Sequence, residues 1–160
     1  MQSMLSTTLI VAVVSAGTIA ACADTNETVG ATPAREATDQ QVSTMKIRIQ
    51  IEGTTITATL ADNATSRDFV SLLPLSVTLK DYAATEKIVD LPKRLSTEGA
   101  PAGAAPSIGD ITYYAPWGNL AIFHKDFDYS KGLIKLGTID SNVEALSQPG
   151  PIGATIELVK

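Results

Sequence analysis

Two alternating segments separated by a glycine most constrain what this 160-residue chain can fold into. Residues 45–52 read MKIRIQIE, and residues 54–60 read TTITATL. In each segment an apolar side chain recurs at every second position, which is the period of a β-strand with one buried face. The pair therefore predicts a β-hairpin that turns at Gly53 and directs its isoleucines into a core.

Further short strands follow at similar spacing. Segments rich in apolar and β-branched residues predict strands over residues 75–82, 110–115, 120–124, 132–139 and 154–159. Residues 86–95 predict a short strand or turn that Pro92 interrupts. Gly137 lies inside a predicted strand and indicates a bulge or a close backbone approach.

Two short helices complete the predicted domain. Several possible N-cap residues precede residues 67–73, and Asp140 and Ser141 precede residues 142–146. Residues 99–109 form a Gly/Ala/Pro-rich segment, which predicts an exposed loop. The fold class predicted is mainly β, a closed or nearly closed barrel of about eight strands, because closure protects many strand edges.

Composition excludes several kinds of site. The chain carries 12 Lys and Arg against 17 Asp and Glu, so its net charge of −5 argues against a nucleic-acid partner. It has one cysteine and one histidine, which excludes a disulfide framework and a Cys/His zinc cluster. No metal and no cofactor is therefore expected.

The N-terminal segment is typical of a signal peptide. Residues 5–21 are uncharged, but the dense apolar stretch is too short for a membrane-spanning helix. Ile19-Ala20-Ala21-Cys22 is similar to the bacterial lipobox. That resemblance implies cleavage before Cys22 and attachment of diacylglycerol to its thiol. A plain secretory signal, cleaved near Ala21 or Ala23, is the alternative.

The chain thus divides into three predicted parts. Residues 1–21 are the signal peptide, and residues 22–44 are the anchor cysteine and a disordered tether, because they hold too little apolar surface to fold. Residues 45–160 are the β-barrel domain. The expected location is beyond the inner membrane, lipid-anchored in the cell envelope on the outer-membrane or periplasmic side. The lipid anchor is the only membrane contact expected.

The order of the elements resembles that of the small cyclophilin-like domains of bacteria and archaea. The resemblance is carried by residues 65–74, 109–123 and 132–146, and it extends over about residues 45–160. It implies the cyclophilin-like barrel. Cyclophilins isomerise X-Pro bonds with an arginine on one strand and with polar and aromatic groups on its neighbours.

The residues that such an isomerase needs are incomplete in this sequence. The strand at residues 75–82 offers Lys80 instead of an arginine, and Arg94 lies in a later segment. Where cyclophilins place a glutamine and a phenylalanine, the resemblance puts Leu120 and Ile122 facing the pocket. We therefore expect a non-catalytic module that binds a small molecule or a peptide. The alternative is a weak peptidyl-prolyl isomerase that uses Lys80 or Arg94.

Four of the aromatic residues fall within residues 113–123. They either pack the barrel or, with Trp117 and one tyrosine, rim a concave ligand site to which Asn119 supplies a hydrogen bond. The candidate pocket residues are Tyr114, Trp117, Asn119, Leu120, Ile122 and His124. A third hypothesis is a different enzyme in which His124 pairs with Asp126 or Asp128.

Overall fold

An antiparallel barrel of eight strands dominates residues 44–160, which the computed structural model describes. The elements are β1 (Met45–Ile51), β2 (Thr54–Leu60), α1 (Ala64–Val70), β3 (Leu75–Tyr82), β4 (Glu86–Asp90), β5 (Gly103–Ala104), β6 (Asp110–Tyr114), β7 (Asn119–Phe123), β8 (Ser130–Lys131), β9 (Leu133–Ser141), a 3₁₀ helix (Val143–Ser147) and β10 (Ile152–Leu158). The wall runs β1-β10-β3-β4-β7-β6-β9-β2 and closes between β2 and β1. The mainly β, closed-barrel prediction is confirmed.

The hairpin that the alternation predicts forms the start of this wall. The inward side chains of β1 and β2, such as Ile49 and Ile56, are buried. Glu52 and Gly53 connect the strands with φ angles of 30° and 81°. Positive φ at both central residues is the geometry of a type I′ turn, whose twist matches that of the paired strands.

Helix α1 lies three residues earlier than predicted. Asn63 is its N-cap, and the Asn63 side chain accepts a 2.8 Å hydrogen bond from the Ser66 amide. The cap therefore starts the helix at Ala64, and the predicted range of residues 67–73 is wrong at both ends. The helix nevertheless buries Phe69 completely in the core, as its apolar spacing indicates.

Gly137 lies where two strands approach closely. A side-chain Cβ at this position would collide with the Thr59 carbonyl and lie 2.8 Å from the Leu60 Cα. The pairing of β9 with β6 also shifts register close to it, between Ile111 and Thr112. The predicted close approach is confirmed. The 142–146 helix is a 3₁₀ helix one residue further on, and the 99–109 loop includes the two-residue strand β5.

A fully buried lysine lies in the barrel wall. Lys87 of β4 is 0% exposed. Its Nζ donates to Asp81 Oδ1 at 2.6 Å, to the Gln148 carbonyl at 2.6 Å and to the Gly150 carbonyl at 2.8 Å. Lys87 thereby ties β4 to the end of β3 and to the segment after the 3₁₀ helix. Three acceptors match the three donors of an ammonium group.

Candidate functional site

A cleft of about 180 Å³ lies on the outer side of the wall, where β4, β7, β6 and β9 are neighbours. Five aromatic rings contribute to its lining: Tyr82, Tyr114, Trp117, Phe123 and Phe127. Typical sites for drug-sized ligands measure roughly 300–1,000 Å³. The cleft is therefore suited to a group the size of one side chain.

Strand β7 supplies one wall of the cleft with two of its five residues. Asn119 and Phe123 line the cleft, whereas Leu120 and Ile122 belong to the barrel core and are 1% and 0% exposed. Successive side chains of a strand point to opposite faces, so the two pairs must separate. The expectation that Leu120 and Ile122 face the pocket is thus corrected. All five residues of β7 are buried, so its composition does not reveal which side chains face the core and which face the cleft.

Trp117 stands over the cleft from the turn between β6 and β7. Its side chain is 56% exposed. Its ring is perpendicular to two tyrosines, with centroid distances of 5.5 Å and 83° to Tyr82 and of 5.3 Å and 84° to Tyr114. Edge-to-face contacts of this kind are favourable for aromatic pairs. The three rings form one aromatic wall that includes two of the candidate pocket residues, Tyr114 and Trp117.

Arg94 holds the turn that carries Trp117. Its Nη1 donates to the Ala115 carbonyl at 2.7 Å, and its Nη2 donates to the Pro116 carbonyl at 3.3 Å. Gly118 closes the turn with a φ of 81° and a 2.8 Å bond from its amide to the Tyr114 carbonyl. Arg94 thus positions the turn and is not among the residues that line the cleft.

Glu86 places a carboxyl group among these rings. It lies opposite Tyr82 on β3 and Phe123 on β7. Burial raises the pKa of Glu86 from its ordinary 4.5 to about 7. Among residues 44–160 the ion pairs involve other carboxylates and not Glu86. The cleft therefore holds an acid whose charge state changes near neutral pH.

Asn119 adds a second polar group without a full set of partners. The residue is 2% exposed, and its Nδ2 makes one long bond, 3.4 Å, to the Leu120 carbonyl. Its Oδ1 is buried and has no hydrogen-bond partner within the described residues. Buried polar atoms are normally paired, so this oxygen is an unsatisfied acceptor beside the cleft.

The turn between β3 and β4 borders the cleft in a strained conformation. Ala83 and Ala84 have φ angles of 48° and 55°, and the Thr85 amide closes the turn on the Tyr82 carbonyl at 3.1 Å. A left-handed backbone costs a residue with a Cβ roughly 1–2 kcal/mol. Strain of this kind accumulates at functional sites more than elsewhere.

The remaining candidates lie elsewhere. His124 is not among the residues that line the cleft, and both of its ring nitrogens are buried without a partner in the described part of the chain. Burial lowers the pKa of His124, and the charges of Lys125 and Lys87 lower it further. The Asp126 carboxylate accepts from the Ile108 amide at 2.8 Å. Neither Asp126 nor Asp128 is therefore hydrogen-bonded to His124, and Lys80 is exposed on β3 outside the cleft.

The predicted anchor lies outside the described residues. Cys22, the signal peptide and nearly all of the tether fall within residues 1–43. Among residues 44–160, no helix combines the length and the apolar character that crossing a membrane requires. The same residues contain no group of three or more His, Cys, Asp or Glu side chains able to hold a metal ion.

The cleft residues that the sequence did not indicate include Tyr82, Glu86 and Phe127. Tyr82 and Glu86 flank the turn of the β3–β4 hairpin, and they meet β7 only because β4 pairs with it. Phe127 carried a usable signal. It is a large aromatic residue between two aspartates, and it lies 6.3 Å from Phe123, centroid to centroid.

Comparisons with known proteins agree with this architecture. The chain is similar to a hypothetical protein from Archaeoglobus fulgidus with a known solution structure. The two share 17% identity at a TM-score of 0.54, over 72% of this chain and 95% of that one. No curated protein matches the sequence significantly. The model of the cyclophilin-like family matches residues 49–157, which are most of the barrel. This chain therefore belongs to the cyclophilin-like family.

Proposed function

We propose that this protein is a non-catalytic binding module whose outer cleft takes a small molecule or one side-chain-sized part of a peptide. One observation carries the proposal: the cleft combines aromatic rings with the carboxyl group of Glu86, which forms no ion pair among residues 44–160, and with the Asn119 Oδ1, which has no hydrogen-bond partner there. A cleft of this kind, mostly apolar with a few convergent polar groups, is the usual form of a ligand site.

The placement of the basic side chains favours binding over isomerisation. An isomerase based on Lys80 or Arg94 requires one of these cations in the cleft. Lys80 is not among the residues that line it, and the guanidinium of Arg94 is engaged by the Ala115 and Pro116 carbonyls. The isomerase alternative is tested by the rate of X-Pro isomerisation in a peptide. We expect no acceleration; a rate that rises with the wild type and falls with Lys80→Ala or Arg94→Ala would contradict the proposal.

Trp117 makes ligand binding directly measurable. It is the only tryptophan in the sequence, and its ring lies in the cleft. We expect members of a library of side-chain-sized amines, acids, alcohols and proline peptides to change its fluorescence in a saturable manner. Ligand-observed NMR should show the same compounds failing to bind Trp117→Ala, while Tyr129→Ala, an exposed aromatic outside the cleft, binds them normally. A library with no saturable binder would overturn the proposal.

The proposed setting is the cell envelope, with the barrel held outside the inner membrane by lipid on Cys22. The lipobox-like residues 19–22 and the polar segment that follows them support this placement. Mass spectrometry of the mature protein should find an N-terminal, diacylated Cys22. The Cys22→Ala variant should lose the lipid and leave the membrane fraction. An unmodified Cys22 or a different cleavage site would contradict the anchor.

A further inference from the structure

We propose that the cleft selects an organic ammonium ion, a positively charged nitrogen carried by a side-chain-sized apolar group. This inference rests on the proposed function, because it names the chemical class of ligand for the same cleft. It draws on the polar groups, the aromatic rings and the proton balance of the cleft.

The charged and potentially charged groups of the cleft are of one sign. Glu86 and the Asn119 Oδ1 offer oxygen acceptors, and no lysine, arginine or histidine is among the residues that line the cleft. The Asn119 Nδ2 and the hydroxyl groups of Thr85 and Ser130 can also donate. A positively charged N–H donor is therefore the bound group that best complements Glu86 and the Asn119 oxygen.

The two acceptors lie at opposite ends of the cleft. On β7, Phe123 pairs with Glu86, and Asn119 pairs with Asp90, four residues further along β4. Four strand residues span about 13 Å between Cα atoms. A ligand that places its ammonium group at Glu86 can therefore extend its apolar part along the cleft toward Asn119.

The aromatic rings also favour a cation in the cleft, and Tyr82 lies opposite Glu86. Trp117 stands perpendicular to Tyr82 and Tyr114, so the wall presents ring faces in more than one direction. The negative face of an aromatic ring attracts ammonium groups, most strongly in tryptophan, and disfavours an anion. The rings also cover the apolar part of the ligand.

The number of protons released on binding distinguishes an ammonium ligand from a neutral or an anionic one. The titratable groups that line the cleft are Glu86, Tyr82 of β3 and Tyr114 of β6, while β7 and β9 contribute uncharged side chains. Because burial raises the pKa of Glu86 to about 7, roughly half of the carboxyl groups hold a proton at pH 7. An arriving ammonium stabilises the carboxylate, so that proton leaves. A neutral ligand causes no such release, and an anion favours proton uptake.

The experiment uses three probes of one shape in isothermal titration calorimetry. They are tyramine, which is an ammonium, its neutral alcohol counterpart tyrosol, and the anion 4-hydroxyphenylacetate. We expect tyramine to bind at least about tenfold more tightly than tyrosol, with 4-hydroxyphenylacetate the weakest. Titrations at pH 7 in buffers of different ionisation enthalpy should show about half a proton released per tyramine.

Two variants assign the effect to Glu86. Glu86→Gln should abolish both the tyramine preference and the proton release, while tyrosol binding stays unchanged. Glu144→Gln, which removes an exposed carboxylate of the 3₁₀ helix, should keep both. Equal affinity for tyramine and tyrosol, or preference for the anion, would overturn this inference but leave the binding module standing. Loss of binding by all three probes would also overturn it, and the wider library then decides on the proposed function.

Discussion

Glu86 and Lys87 are consecutive residues on β4, with opposite charges and opposite faces. Lys87 points inward, is fully buried and donates to three acceptors. Glu86 points outward into the cleft, partly buried, and none of the ion pairs of residues 44–160 includes it. One barrel wall thus carries a fully paired charge inside and an unpaired acid outside.

The difference distinguishes polar groups that build the fold from polar groups that the fold leaves free. Desolvating a charge is expensive unless its partners compensate for it, and the partners of Lys87 do so. Glu86, Asn119 and the left-handed Ala83–Ala84 turn each cost free energy and cluster around one cleft. We interpret this cluster as the part of the domain shaped by binding rather than by stability.

The largest expected effect concerns Lys87, the buried charge of the pair. Lys87→Met should lower the free energy of unfolding by about 3 kcal/mol, because Asp81 and two carbonyls lose their donor. Urea denaturation measures the change. Lys80→Met, at an exposed position of β3, should change stability by less than about 0.5 kcal/mol. If both variants change the free energy of unfolding by similarly small amounts, the structural role assigned to Lys87 is contradicted.

The next effect concerns Glu86 and the dependence of stability on pH. Below pH 4.5 Glu86 is protonated in both the folded and the unfolded chain, so its burial costs little. Between pH 4.5 and about 7 the unfolded chain ionises first, and wild-type stability should therefore fall as pH rises. Glu86→Gln should avoid this fall and exceed the wild type above pH 7 by about 1 kcal/mol, a value reduced for solvent screening. Parallel stability curves for the two proteins from pH 4 to 8 would contradict the raised pKa.

A third change relieves backbone strain beside the cleft. The double variant Ala83→Asn/Ala84→Gly places residues that favour positive φ in the turn, and it should raise the free energy of unfolding by about 1 kcal/mol. Ala61→Gly, at an exposed position outside the positive-φ set, should lower stability instead. Thermal unfolding compares the two. A destabilised double variant would show that the turn is not strained.

The smallest expected effect concerns Asn119. Asn119→Leu removes a buried oxygen that has no partner and one long hydrogen bond, so stability should change by no more than about 0.5 kcal/mol. The affinity for cleft ligands should nevertheless fall, as calorimetry would show. A loss of stability as large as that of Lys87→Met would place Asn119 among the groups that build the fold.

Sequence patterns predict the fold of this chain better than its site. The alternation in residues 45–60 indicates strands with one buried face, which is a local property of the sequence. A glycine inside a predicted strand, Gly137, likewise indicates a close backbone approach. Glu86 is different, because its surroundings come from β3 and β7, which reach it only through strand pairing. In β7 the apolar residues do not reveal which side chains face the core and which face the cleft, so the sequence does not predict that Leu120 and Ile122 face the core.

The way the barrel closes also has a consequence for the order in which it can form. Strand β10, the final strand, lies between β1, the first, and β3. Until residues 152–158 emerge, the partly made domain has two open strand edges and no continuous wall. Pairing between such distant segments is slow to form. A chain on the proposed export route would therefore stay unclosed during synthesis and complete its barrel only after its last strand has been released.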